Sequence, residues 1–425
     1  MRHRRPRVPV RDLLISMLLV GMLGVWTVRD GWSYDAEAIG DVVDYVEEET
    51  LAGYLLSLVD FGTRFTLSHG FCEAGQWLHD SFASFGLDVV MDPFAMILPG
   101  FRNVVATLPG SAETDALLIV CAHYDSISSR PFRNAPGADD NASGVATLLG
   151  LAGALTAEPP RARPVVFAIT SAEEHGAIGA RALVESMGEA APFACLNLDS
   201  VGRLSSGRLY VLNASSAREW RFIMMGVGYT TGVDVAIVPE PLDASDDMAC
   251  LDAGIPAIQL FTGPHTDYHK PSDTADKIDD DGLAEVAEAA WQVVDYLAQR
   301  PDPLSVSLEL GLRGKPEPSR HPGGGHPGGG HPGGQAGARK VSLGTMPDFA
   351  FAGPGVRVQE VREGSPAAEA GIQAGDVLLA VGDTQLQGLR DLSAALKGHS
   401  AGDTVTVRVQ RGDDALDLSA TLEEN

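Results

Sequence analysis

The stretch PVVFAITSAEEHG, residues 164–176, decides how this chain folds. Its first half is an uncharged run rich in Val, Phe and Ile, the composition of a strand buried on both faces. It then delivers two neighbouring carboxylates, Glu173 and Glu174. Adjacent carboxylates repel, and each raises the other's proton affinity when ionised. A buried strand that ends on such a pair points to a use for both.

Working outward, similar apolar runs occur at NVVATLP (103–109), ALLIVCAHYD (116–125), FACLNLD (193–199), RLYVLN (208–213) and AIQLFT (257–262). Each reads as a buried strand. Between them Val145, Leu148, Leu149, Ala152 and Leu155 recur at helical spacing, as do Leu283, Val286, Ala287, Ala290, Trp291, Val294 and Leu297. The alternation predicts an α/β three-layer sandwich around a mostly parallel central sheet over residues 40–300. Sheets of this kind place their sites at the carboxyl ends of the strands.

Acidic and imidazole side chains gather at those ends. AHYDS brings His123 and Asp125, whose i, i+2 spacing in a strand suits a metal on one imidazole nitrogen and a carboxylate on the other. GADDNASG (137–144) offers Asp139 and Asp140, which read either as helix caps or as ligands. NLDSVG ends on Asp199, and GPHTDYHKPSDTADKI (263–278) supplies His265, Tyr268, His269, Asp273 and Thr274. His265 and His269 have a zinc-helix spacing, but Gly263, Pro264 and Pro271 argue against a helix there. His265 is therefore left outside the ligand set, and His175 is read as exposed.

Taken in this order, AHYDS, GADDNASG, AEE and DYHKPSDT resemble the motifs of the di-zinc exopeptidase family. That family includes bacterial aminopeptidases, glutamate carboxypeptidase, glutaminyl cyclases and the transferrin receptors. LVDFGTR (58–64), WLHDSFASFGLDVV (77–90) and NVVATLPG (103–110) are similar to its entry segment. The resemblance covers about residues 40–300 and implies two Zn2+ per chain. Asp139 would bridge them, with Glu174 and His269 on one ion and His123 and Asp199 on the other. Each ion then has three protein ligands and an open face, as catalytic zinc does. The resemblance also implies a cis peptide bond between Asp139 and Asp140. It makes Glu173 the general base for a metal-bridged hydroxide that attacks a peptide carbonyl. Tyr268 becomes an oxyanion donor or, equally, a packing residue. Asp125, Asp140 and Asp273 stand behind the ligands, with Asp273 bonding His269 or ordering the PSDT turn.

The activity this implies is an aminopeptidase. Three rivals stay open: a glutaminyl cyclase, which uses one zinc; a carboxypeptidase, which needs a basic pocket such as Arg130, Arg133 and Arg203; and a non-catalytic scaffold, which usually loses ligands. Many relatives carry His where Asp247 stands, while Asp246 matches the family aspartate, so the pocket wall is expected to differ.

The rest of the chain is organised around this unit. RPDPLSVSLELGLRGKPEPSR leads into HPGGGHPGGGHPGG, so residues 301–339 read as a flexible Pro/Gly/His-rich linker. A weak metal site at His321, His326 and His331 is the less favoured reading. In residues 340–425, VSLGT (341–345), REGSPAAEAGIQAGDVLLAVGDTQL (362–386) and GDTVTVRVQRG (402–412) resemble a PDZ domain of the type found in bacterial high-temperature-requirement proteases. That likeness implies a small β-rich domain whose Leu343-Gly344-Thr345 loop offers N–H groups to a peptide's terminal carboxylate. Docking on the enzyme itself is the alternative.

Five arginines and no acid occupy the first eleven residues; the remainder carries −31, the −26 of the whole less those five positive charges. So acidic a body argues against a nucleic-acid partner. Apolar residues Leu13–Val28 follow the arginines, slightly short of the ~20 needed to span a bilayer. Residues 1–32 read as a signal peptide or signal-anchor. The body is then expected in the periplasm or outside the cell, tethered to the inner membrane. The four cysteines have no zinc-finger spacing, and no disulfide is assigned.

Overall fold

A computed structural model describes residues 45–94, 101–114, 116–188, 191–204, 207–238, 245–306, 341–348, 351, 353–362, 364–412 and 414–424. The N-terminal segment and nearly all of the histidine-rich linker lie outside the described residues. No helix among those described is long and apolar enough to cross a membrane.

The first unit runs α1 (Glu48–Val59), α2 (His69–Ser84), β1 (Asp88–Pro93), β2 (Arg102–Leu108), β3 (Ala116–His123), α3 (Gly144–Thr156), β4 (Val165–Thr170), α4 (Ile178–Ser186), β5 (Ala191–Leu198), β6 (Leu209–Leu212), α5 (Glu219–Thr231), β7 (Val235–Ile237), α6 (Asp247–Asp252), β8 (Ala257–Phe261) and α7 (Asp280–Gln299). The sheet order is β1-β2-β4-β3-β5-β8-β6-β7. Its centre, β4-β3-β5-β8, is parallel throughout. The flanking β1-β2-β4 and β8-β6 pairings are antiparallel. β1 and β7 were not legible as strands, because each lies at a sheet edge and is only partly buried.

Central strands are apolar on both faces because helices cover both. Every residue of β4 is buried, and α3 is buried nearly all round. α1, α3 and α7 pack on one face around Leu51, Leu148, Leu149, Val286 and Val293. On the other face α4 and α6 cover Ile119, Cys121, Ala168 and Cys195. Each such fully buried aliphatic side chain contributes roughly 2 kcal/mol of transfer free energy. All four cysteines are free.

The second unit has a separate apolar core built on Val358, Leu378, Val407 and Val409. It comprises β9 (Val341–Ser342), β10 (Thr345–Pro347), β11 (Val356–Val361), α8 (Pro366–Ala370), β12 (Val377–Val381), β13 (Thr384–Gln385), α9 (Leu389–Lys397), β14 (Thr404–Arg411), β15 (Asp414–Thr421) and β16 (Glu423–Glu424). Its main sheet runs β10-β11-β12-β14-β15, with β13 pairing β12.

Candidate metal centre

Four strand ends and one turn converge at the carboxyl edge of the parallel sheet. β3 ends on His123. β4 runs into Ser171 and Ala172 and then Glu173 and Glu174; β5 runs into Asp199; the loop after β8 carries His269. The turn at 138–143, just before α3, carries Asp140. Backbone in the left-handed region clusters at these ends, at Ala172, Ser200 and His269 itself. Such strain collects where a fold over-determines a side chain's direction.

His123, Asp140 and Asp199 form one group of potential ligands, and Asp140, Glu174 and His269 a second. Asp140 belongs to both, one oxygen to each side. Its Oδ1 lies 3.3 Å from His123 Nε2, and its Oδ2 lies 3.2 Å from His269 Nε2. His123 Nε2 is 3.5 Å from Asp199 Oδ1, and His269 Nε2 is 2.9 Å from Glu174 Oε2. Ligands about 2.0–2.1 Å from a tetrahedral zinc are about 3.3 Å from one another, so these spacings fit. Glu174 Oε1 and His269 Nε2 are buried without a hydrogen-bond partner, orphaned atoms of a kind that a bound cation satisfies. Two imidazoles and three carboxylates form a donor set that zinc accepts.

The electrostatics agree. Burial alone would lower His123 and His269, but facing carboxylates hold both well above the ordinary imidazole value. Burial would raise Asp140, yet the two imidazoles hold it far below the usual carboxylate range. Burial pushes Glu174 up to about 7, against the pull of His269. Protons thus stand where cations fit, so metal uptake would release them. Glu173 belongs to neither group of ligands. Its Oε2 lies 4.0 Å from His123 Nε2, and burial, with Glu174, Asp199 and Asp246 nearby, pushes it well above its ordinary value.

Three expectations need correction. The residue shared by the two candidate ligand groups is Asp140, not Asp139, and the cis bond is Asp140–Asn141. Asp139 points the other way, its Oδ1 accepting from Gly202 N at 2.7 Å and its Oδ2 facing His265 Nε2 at 3.2 Å. A Cβ on Gly202 would stand 3.0 Å from that Oδ1, so glycine permits the approach. The Asp125 carboxylate lies 3.8 Å from His123 Nδ1, an ion-pair distance rather than a hydrogen bond. β3 has ended by then, and it is the Asp125 carbonyl that faces His123 Nδ1, at 3.1 Å. The carboxylate instead accepts from the backbone N–H groups of Glu173 and Glu174, fixing the glutamate turn. Asp273 bonds neither His269 nor only its own turn. One oxygen accepts from both Asp139 N and Asp140 N, and the other from Arg203.

The remaining site residues fall as follows. Tyr268 stacks on the His269 ring at 3.8 Å between centroids and is half exposed. His175 is exposed, and Arg130 and Arg133 are exposed on a turn. Arg203 spends its guanidinium on Asp267 and Asp273. Asp246 accepts from Thr170 and Asp247 from Asn213, and burial pushes each up to about 7. Gly344 takes up positive φ between β9 and β10, and its N–H donates to Ser342 Oγ at 3.0 Å. Arg64 carried no expectation beyond its place in LVDFGTR, yet it is wholly buried beneath the centre.

Comparison with known proteins gives matching results. Residues 103–294 match the profile of Peptidase family M28, and residues 334–422 that of the PDZ domain. A probable zinc metalloprotease of Pyrenophora tritici-repentis is 32% identical over 192 residues, covering 39% of this chain and 44% of that relative. The chain thus spans about half the length of the curated relatives it matches. Among solved structures, the Legionella pneumophila LapA aminopeptidase superposes with a TM-score of 0.56 at 16% identity, covering 68% of this chain and 84% of its own. A Porphyromonas gingivalis glutaminyl cyclase gives 0.52 at 20%, covering 59% and 98%. At these identities the two structures speak to the fold alone.

Proposed function

Since the chain carries a domain of peptidase family M28 and a PDZ domain, we propose that it is a zinc-dependent exopeptidase, most simply an aminopeptidase. The observation that carries this is Asp140, whose two oxygens face two separate ligand groups. Two Zn2+ per chain would be held by His123, Asp140 and Asp199 on one side and Asp140, Glu174 and His269 on the other. Cations at these positions supply Lewis acidity toward a scissile carbonyl and toward water.

The protein's own part is proton handling and orientation. Glu173, left out of both ligand groups, stands at their mouth with a raised proton affinity. In this reading it takes a proton from the attacking water and delivers it to the leaving amine. The Asp125 carboxylate fixes where Glu173 and Glu174 start. The half-exposed Tyr268 ring, locked flat on His269, can present its hydroxyl to a developing oxyanion.

A glutaminyl cyclase shares the fold, but two complete ligand groups favour two ions. A carboxypeptidase needs a free cation for the substrate's terminus, and Arg203 is engaged by carboxylates. The test is a pair of substrates with elemental analysis. Aminoacyl-nitroanilides should be cleaved and N-blocked peptides spared, with about two zinc ions per chain. Cleavage of N-blocked peptides, or one zinc with release of ammonia from N-terminal glutamine, would replace the aminopeptidase reading.

For the PDZ region we favour binding of peptide C-termini by strand addition at β10. β10 ends its sheet and pairs only β11 among the described residues. Docking on the enzyme is the second reading, and a fluorescent C-terminal peptide library separates the two. The N-terminal segment is proposed to export the protein and tether it to the inner membrane, which carbonate extraction of membranes tests.

A further inference from the structure

Arg64 is fully buried, and it gives its donors to carbonyl oxygens of three separate segments. Nε donates to Tyr124 O at 2.8 Å, Nη1 to Leu58 O at 3.1 Å and Pro136 O at 2.7 Å, and Nη2 to Gly137 O at 2.9 Å. Tyr124 is the residue after His123. Pro136 and Gly137 open the turn that carries Asp140. One planar guanidinium therefore spans the end of α1 and both of these turns.

Its backbone repeats the connection. Arg64 N donates to Ser126 Oγ at 3.1 Å, and Ser126 N donates back to Arg64 O at 3.2 Å. Ser126 Oγ donates in turn to Ala135 O at 2.7 Å, and Ala135 N donates to Gly62 O at 3.2 Å. Segment 62–64 thus clips the 124–126 turn to the 135–137 turn. The fit is tight at Gly137, which has φ 51°. A Cβ there would meet Asp140 O at 2.3 Å, Ser126 Cβ at 2.7 Å and Arg64 Nη2 at 3.1 Å.

A buried cation is costly unless it does something its surroundings need. Burial pushes Arg64 down to about 10, and the nearby charges of Asp273, Asp140, Asp125 and Glu174 pull the other way. It stays charged at neutral pH, beneath a crowd of carboxylates that bear on one another until cations arrive. Its donors face carbonyls, so it neutralises part of that charge without competing for any ligand oxygen.

We propose that Arg64 is the positioning residue of the metal centre, holding the His123 turn and the Asp140 turn in register so that their ligand atoms are pre-set for the cation. This rests on the reading of the centre given above. It assigns Arg64 no contact with substrate. Lysine keeps the charge but cannot reach three carbonyl-bearing segments in one plane.

The test uses the full chain with Arg64→Lys and Arg64→Met, and reads zinc affinity by competition with a fluorescent chelator, well below each variant's melting temperature. Loss of groups behind metal ligands typically weakens binding 10- to 100-fold. Arg64→Lys is expected to fold, to bind zinc ~10- to 100-fold more weakly, and to lower kcat with KM within two-fold of wild type. Arg64→Met is expected to be weaker still; if it does not fold, Arg64→Lys decides alone. Wild-type zinc affinity in folded Arg64→Lys overturns the proposal, whether or not its stability has dropped, because Arg64 is then only a support. Failure of the wild-type chain to bind zinc is a different result, and sinks the metal-centre reading itself.

Discussion

Buried acids beside the metal centre and a buried acid of the second folded region are answered differently. In the second, the buried Asp376 is fully answered: Arg411 gives it two N–H groups, at 2.7 Å each, and Gln373 N a third, at 2.9 Å. Burial pushes Asp376 up, but these bonds leave it below its ordinary value. In the first, Glu174 Oε1, Asp246 Oδ1 and Asp247 Oδ1 are buried without hydrogen-bond partners. A scaffold satisfies its charges, while a site holds some open for what it will bind. The difference sets the region with the candidate metal centre apart from the region that matches a PDZ domain.

The sharpest way to break that contrast is at Glu173. Glu173→Gln keeps the shape of the side chain and removes the base. Turnover is expected to fall by about three to four orders of magnitude, with zinc content unchanged by elemental analysis. Turnover within ten-fold of wild type would mean the open carboxylates serve binding alone.

Next in size is the adjacent pair. Asp140→Asn should strip zinc from both positions and leave no measurable activity. Asp139→Asn should weaken zinc ~10- to 100-fold at most, with activity restored by excess metal. Asn at 139 still accepts from Gly202 N, whereas Asn at 140 cannot serve two cations. The reverse pattern would restore the Asp139 assignment.

This pair also marks where the sequence stops speaking. Apolar runs gave every central strand, because a strand buried on both faces has no choice of composition. Four of the residues now grouped there, His123, Glu174, Asp199 and His269, were expected as ligands from a family resemblance carried by motifs at strand ends. Which of two neighbouring aspartates faces inward was not legible, since both are chemically alike and sit in a turn with no periodicity. The choice is made by backbone conformation at Asp140 and Asn141 and by Asp273, which binds the N–H groups of both aspartates from 134 and 133 residues away. Asp125 shows a similar limit. The i, i+2 rule applies within a strand, and β3 ends at His123. β15, with Asp414, Asp417 and Ser419 exposed at its free edge, lacked the apolar pattern of its partner β14. The role of Arg64 as a clip between turns was not legible because its partners are carbonyls, which every sequence has.

The smallest effect tests the contrast by its sign. Asp247 is 0% exposed and burial pushes it up to about 7. The folded state therefore holds its proton more tightly than the unfolded chain does, at an ordinary value near 4. Its stabilising share is complete below about pH 4 and is lost as pH rises through about 7. Asp376 is depressed, so its share is present above the ordinary carboxylate value and is lost as pH falls through its lower native value. The same substitution should thus act oppositely in the two regions. Asp247→Asn, which mimics the protonated acid and still accepts from Asn213, should stabilise the first region at pH 8 by on the order of 2 kcal/mol and change little at pH 4. Asp376→Asn should destabilise the second region at pH 8 by ~1–3 kcal/mol, the cost of a charged hydrogen-bond network left short, and by less at pH 3. Calorimetry of the full metal-free chain at the three pH values reads both. Destabilisation by Asp247→Asn at pH 8 would show that this acid, too, is held ionised by a partner, and the two regions would no longer differ in kind.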